Sequence, residues 1–95
     1  MQRVGIIGLG RFGTTLAYEL SQRGADVILM DRNRTRVQAL AAAFNQAVCG
    51  DATQIDALRE AGMAGCDAAV VTMTESIENS VLCTMALKEL GVPQL

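Results

Sequence analysis

"VGIIGLGRFG", residues 4–13, carries the reading of the whole chain. A short run of β-branched residues leads into Gly8-x-Gly10-x-x-Gly13, with Arg11 and Phe12 filling the last gap. In such a pattern Gly8 permits a tight turn and Gly10 lets phosphates approach the backbone. Gly13 lets the following helix pack closely on the strand. The N–H groups that open the helix, together with its dipole, favour an anion. The spacing predicts a strand, a phosphate-binding turn and a helix, and leaves open whether a nucleotide there does chemistry or is only sensed.

Outward from this turn, strands and helices alternate. Arg3–Ile7 reads as the first strand. Arg11–Arg23 follows as a helix with Leu16, Ala17 and Leu20 on one face, ended by Gly24. "DVILM" (residues 26–30) is a second strand, continuously apolar as a parallel sheet covered on both faces requires. Asn33 is expected to cap a helix running to Phe44, with Val37, Leu40, Ala41 and Phe44 inward. Gln46–Cys49 is a third strand. Thr53 is expected to cap a short helix to about Ala61, with Asp56 as its capping-box acid. Ala68–Thr72 is a fourth strand, and a last helix runs from about Ser76 to Leu90, stopped by Gly91 and Pro93. Right-handed crossovers turn this alternation into an α/β fold: a Rossmann-like, doubly wound parallel sheet of strand order 3-2-1-4. The chain ends at "VPQL", where a fifth strand would begin, so it reads as such a domain cut short.

The totals narrow the function. Ninety-five residues make one domain at most, spanning 1–95, and leave no room for a separate substrate domain. Apolar residues make up 51% and aromatics 3%, so the core must be aliphatic. The longest apolar run, Ala39–Phe44, is far short of the ~20 residues that cross a bilayer, and the chain reads as cytosolic. A net charge of −2 argues against a nucleic-acid surface. Three scattered cysteines, with no C-x-x-C, suit a reducing compartment and buried packing. No histidine is present, which removes the commonest general base and metal ligand. No catalytic residues and no metal ligands are read, and no dehydrogenase turnover is expected.

The strand ends supply the candidate site. Asp31, at the tip of the second strand, can accept hydrogen bonds from both ribose hydroxyls of an adenosine and would repel a 2′-phosphate. Arg32, next to it, can swing toward such a phosphate or stack on adenine. Arg34 and Arg36 read as the solvated start of a helix. Asp51, in "CGDAT" (residues 49–53), stands beside the expected adenine pocket. Thr72, Met73 and Thr74 line the groove by position at the switch point between strands one and four. The last helix has an apolar stripe of Ile77, Val81 and Met85, with Leu82 beside it, which is more than one sheet face needs.

"GLGRFG", the acid ending strand two, "GDAT" after strand three and "VTMTESIEN" after strand four together resemble the regulator-of-K⁺-conductance (RCK) or TrkA-N domain. The match covers essentially the whole chain as the N-terminal lobe of that domain. The resemblance implies a cytosolic regulator that binds NAD(H), ATP or ADP, dimerises or assembles into rings, and serves a membrane potassium channel or transporter. By position, Gly8, Gly10, Arg11, Phe12 and Gly13 would hold phosphates and Asp31 the ribose. Arg32, Asp51, Ala52 and Thr53 would meet the adenine region, with Met73 and Thr74 as the groove floor. Glu75, Glu78 and Asn79 match the acidic-then-Asn run that opens the family's helix after strand four. The family's fifth strand and C-terminal lobe have no counterpart here. The remaining alternative is the cofactor domain of an NAD-dependent dehydrogenase, which would need catalytic residues from elsewhere.

Overall fold

A strand covered on both faces carries no polar side chain along its buried length, and β1 (Arg3–Ile7) meets this after its exposed first residue, with Gly5 leaving room for the Met63 side chain. The computed structural model describes residues 2–44, 46–73 and 76–95. In it β1 pairs in parallel with β2 (Asp26–Asp31), β2 with β3 (Gln46–Cys49), and β1 on its other side with β4 (Ala68–Val71). The order β3-β2-β1-β4 is the one expected. Helices α1 (Arg11–Gln22), α2 (Arg34–Leu40), α3 (Ile55–Glu60) and α4 (Ile77–Leu90), with a 3₁₀ turn at Met63–Gly65, complete the element order.

Alternate side chains along the strands serve two cores. Val4, Ile6, Val27 and Leu29 pack with Ala17, Val37, Leu40 and Phe44 of α1, α2 and the turn after α2. Ile7, Ile28, Met30 and Ala69 pack with Leu58, Met63, Cys83 and Leu87 on the opposite face. Tyr18 meets Phe44 edge-on, with ring centroids 5.0 Å apart.

Several expectations change in detail. α2 ends at Leu40, not Phe44, because the N–H groups of Ala41 and Ala43 bond three residues back and tighten the chain into a turn. Phe44 still reaches the core, but Ala41 is exposed. β4 ends one residue early, although the Thr72 N–H still bonds the Ile7 carbonyl at 2.8 Å. Thr53 does not cap α3: the N-cap is Gln54, with no side-chain bond, and Asp56 pairs with Arg59 at 2.7 Å instead of closing a box. Asp51 has captured the threonine. Cys66 and Cys83 are buried, the latter's thiol pushed up to about 11 chiefly by burial and then by Asp51, but Cys49 is exposed on the edge strand. At the other edge the Ala69 N–H bonds the Gln94 carbonyl at 2.9 Å, so the segment after α4 pairs in parallel beside β4, where a fifth strand was expected.

α4 is capped at both ends: Ser76 Oγ accepts the Asn79 N–H at 3.1 Å, and Gly91, expected to stop the helix, takes φ +90°. Cys83, Ala86 and Leu87 face the core. Ile77 (84% exposed), Val81, Leu82 and Met85 do not.

Candidate functional site

The three glycines of the turn have three distinct surroundings. Gly8 has φ +100°, and a Cβ there would meet the Thr72 hydroxyl at 2.7 Å and its carbonyl oxygen at 2.8 Å. Thr72 causes this closeness, since its hydroxyl donates to the Gly8 carbonyl at 2.7 Å. A Cβ on Gly13 would collide with that same carbonyl oxygen, whereas one on Gly10 would meet nothing within 4 Å. Gly8 therefore provides the turn, Gly13 the close packing and Gly10 an open approach. Gly10 is the N-cap of α1 and offers no side-chain cap, so the positive end of the helix dipole stands at the opening of the turn.

Asp31 closes β2 as a buried carboxylate, 8% exposed. Its Oδ2 accepts the Leu9 N–H at 2.7 Å and its Oδ1 the Asn33 N–H at 2.8 Å. Burial of the charge is tolerable because both oxygens are engaged. The Asn33 side chain in turn accepts the Arg36 N–H at 3.2 Å and starts α2. That cap fixes the roll of the first helical turn, and Arg36 Nη1 comes to 3.6 Å from Asp31 Oδ2. Arg36 was expected to be solvated; the cap geometry brings it back over the strand tip.

Asp51 is organised in the same way. Its Oδ1 accepts both the Thr53 hydroxyl at 2.7 Å and the Thr53 N–H at 3.0 Å, and Arg32 Nη2 lies 3.4 Å from Oδ2. The Thr53 hydroxyl and N–H, with a smaller contribution from Arg32, hold its carboxyl below the usual carboxylate range against the opposing effect of burial.

These elements enclose a groove of about 340 Å³ at the carboxyl edge of the sheet, within the size range of small-molecule sites. Of the residues expected from the sequence, Gly8, Asp31, Arg32, Asp51, Ala52, Thr53 and Met73 line it. Gly10, Arg11, Phe12 and Gly13 lie alongside, at the opening of α1, and do not line it; Arg11 and Phe12 point to solvent, the ring 65% exposed. Thr74 and Glu75 lie outside the described residues. Ile7, Asn33, Arg36, Gly50, Ser76 and Asn79 complete the lining and were not assigned to it beforehand. For Asn33 and Arg36 the signal was present, because an N-cap and the residue three positions on face the same way.

A family model described as the TrkA-N domain matches residues 4–94. The chain is 40% identical over 87 residues to the Ktr system potassium uptake protein C of Bacillus subtilis, covering 92% of this chain and 39% of that one. It is 36% identical over 90 residues to the Ktr system potassium uptake protein A of the same organism, covering 95% and 40%. The chain thus spans about two fifths of the length of these relatives. Among solved structures, the NAD(P)-binding domain of an exopolyphosphatase-related protein from Archaeoglobus fulgidus superposes with a TM-score of 0.82 at 24% identity, covering 96% of this chain and 68% of that one. The TrkA-N domain of the inner membrane protein ybaL from Escherichia coli superposes with a TM-score of 0.70 at 20% identity, covering 98% and 84%. At those identities the two structures speak to the fold alone. The match over residues 4–94, with the glycine turn, Asp31 and Asp51 in their places along a 3-2-1-4 sheet, makes this chain a member of the TrkA-N family.

Proposed function

We propose that this chain is the nucleotide-binding lobe of a regulator of a potassium channel or transporter. It binds NAD(H) or ATP/ADP in the groove and couples ligand state to gating of the membrane partner. One observation carries this reading: Gly8 and the buried Asp31 carboxylate line one groove, and the open Gly10 starts α1 two residues beyond Gly8. A nucleotide laid across them would present phosphate to the helix N-terminus and ribose hydroxyls to Asp31. The names of the relatives, components of potassium uptake systems, supply the physiological context. The role is regulatory rather than catalytic: the chain has no histidine, and both groove carboxylates accept hydrogen bonds from their own neighbours. On this reading the protein works in the cytoplasm, at the inner face of the membrane through its partner. None of the described helices is long and apolar enough to cross a bilayer.

Arg11 separates the candidate ligands. A dinucleotide diphosphate is already served by backbone N–H groups and the helix dipole, so an added cation matters more to a chain of three phosphates. If ATP against ADP is sensed, Arg11→Ala weakens ATP more than ADP by about 1 kcal/mol or more. If NAD(H) is the ligand, its affinity drops and the ATP-to-ADP ratio stays flat. Calorimetric titration of NADH, ATP and ADP into both proteins at one salt concentration tests the reading, and an absence of binding by all three refutes it.

A homodimer or larger ring is part of the proposal, with α4 as the contact. Ile77, Val81 and Met85 recur every four residues and form an uncovered apolar stripe, with Leu82 beside it. Joint replacement of Leu82 and Met85 by lysine is expected to give a smaller species in sedimentation velocity. A wild-type chain that stays monomeric at high concentration would remove this contact.

A further inference from the structure

Resting on the nucleotide reading above, we infer that Thr72 is a positioning residue for the bound nucleotide. Its hydroxyl sets the Gly8–Leu9 peptide, and that peptide sets both the entry to the phosphate turn and the Asp31 carboxylate. Thr72 was expected to line the groove; it does not, and it acts through the backbone instead. Strand alternation explains where the side chain goes. Ala69 and Val71 pack in the core of α3 and α4, whereas Val70 packs in the core of α1 and α2. The Thr72 N–H bonds the Ile7 carbonyl at 2.8 Å, which carries the β1–β4 pairing one residue past the strand and leaves Thr72 on the α1 side with Val70. A Cβ on Gly13 of α1 would indeed stand 3.0 Å from the Thr72 hydroxyl. Asp31 ends β2 on the same side, in step with Val27 and Leu29.

A single peptide lies between these two side chains. The one proton of Thr72 Oγ1 goes to the Gly8 carbonyl at 2.7 Å; the Ile7 carbonyl, at 3.2 Å, already takes the Thr72 N–H. The other end of the same peptide is the Leu9 N–H, which Asp31 Oδ2 accepts at 2.7 Å. In a trans peptide the C=O and the N–H point in opposite directions, so side chains from the tips of β4 and β2 hold one peptide plane from its two ends. Gly8 and Leu9 are both buried, so each end depends on its partner. The Gly8 N–H, which bonds the Met30 carbonyl at 2.9 Å, belongs to the preceding peptide and does not fix this one. Gly8, at φ +100°, has no Cβ to resist rotation of the plane that follows it. Without the hydroxyl that plane is held from the Asp31 end alone. Its rotation takes the Leu9 N–H from Asp31 and shifts the chain entering the Gly10 N-cap.

Wild type, Thr72→Val, Thr72→Ser and Thr72→Ala would each be checked for folding by circular dichroism and titrated with NADH, ATP and ADP by calorimetry. Thr72→Ser is expected to bind whichever nucleotide wild type binds within about twofold, while Thr72→Val and Thr72→Ala lose about tenfold, as loss of one buried hydrogen bond implies. A residue that served packing alone would give the reverse pattern: Thr72→Val, which keeps the shape, would bind like wild type, and Thr72→Ser would fall with Thr72→Ala. That pattern overturns the inference. If Thr72→Val does not fold, the serine and alanine variants carry the same comparison. The Leu9 amide proton, read by NMR on isotope-labelled protein without nucleotide, tests the other end of the peptide. Donated to a carboxylate it lies downfield, and it is expected to move upfield in Thr72→Val and Thr72→Ala but not in Thr72→Ser. A Leu9 amide unmoved in both hydroxyl-free variants overturns the inference and leaves the nucleotide site standing. No binding of NADH, ATP or ADP by wild type overturns both.

Discussion

Alanine at position 13 is expected to cost the fold about 3 kcal/mol or more, the upper end of overpacking effects. The added methyl would collide with the Gly8 carbonyl oxygen, a backbone atom that Thr72 already holds, and would lie 3.0 Å from the Thr72 hydroxyl. Neither neighbour is the free end of a flexible side chain, so α1 must lift from β1. Against a typical stability of roughly 5–15 kcal/mol this is a large share. Gly10→Ala, only three residues away, is expected to shift stability by no more than about 1 kcal/mol, since its Cβ meets nothing within 4 Å. The same methyl would occupy the path proposed for the phosphates, so nucleotide affinity is expected to fall while the fold survives. Urea unfolding followed by circular dichroism separates the two. A Gly13→Ala midpoint equal to wild type would contradict the close packing of turn and helix.

The second large effect belongs to Asp31. Removing its carboxylate is expected to weaken nucleotide binding by about 1.5–3 kcal/mol, or ten- to a hundredfold. The same change takes the acceptors from the Leu9 and Asn33 N–H groups, so stability should fall as well, by about 1–3 kcal/mol for a donor left dry. Asp31→Asn keeps one carbonyl acceptor and loses the charge, which distinguishes a ribose anchor from a structural tie. Calorimetry with NADH and ATP on both variants checks the assignment. Affinity unchanged in Asp31→Ala for both ligands would remove it.

The strands, their order and the acids at their tips were legible because each rests on a local rule. Continuous apolar runs mark buried parallel strands, and the alternation with helices leaves one right-handed winding. What escaped were contests between neighbours. Thr53 is a good helix cap by type, yet Asp51, two residues earlier, offers a turn that takes both its N–H and its hydroxyl. Arg36 is an ordinary exposed residue by composition, and only the roll set by Asn33 brings it to Asp31. Cys49 has the strand's period but sits at the sheet edge, where one flank is uncovered. Periodicity does not encode which face a helix cap selects, nor which strand ends the sheet.

Thr72 grips the Gly8 carbonyl, and the Ser80 hydroxyl donates at 2.8 Å to the carbonyl of Met73, the very next residue. Two hydrogen bonds in series thus join the glycine turn to α4 at Ser80, which lies beside Ile77 and Val81 of the uncovered apolar stripe. Mechanically this is a two-joint linkage whose middle bar is the Thr72–Met73 pair just beyond β4. The groove, which Met73 lines, and the α4 stripe, which Ser80 adjoins, thus share one hydrogen-bonded joint.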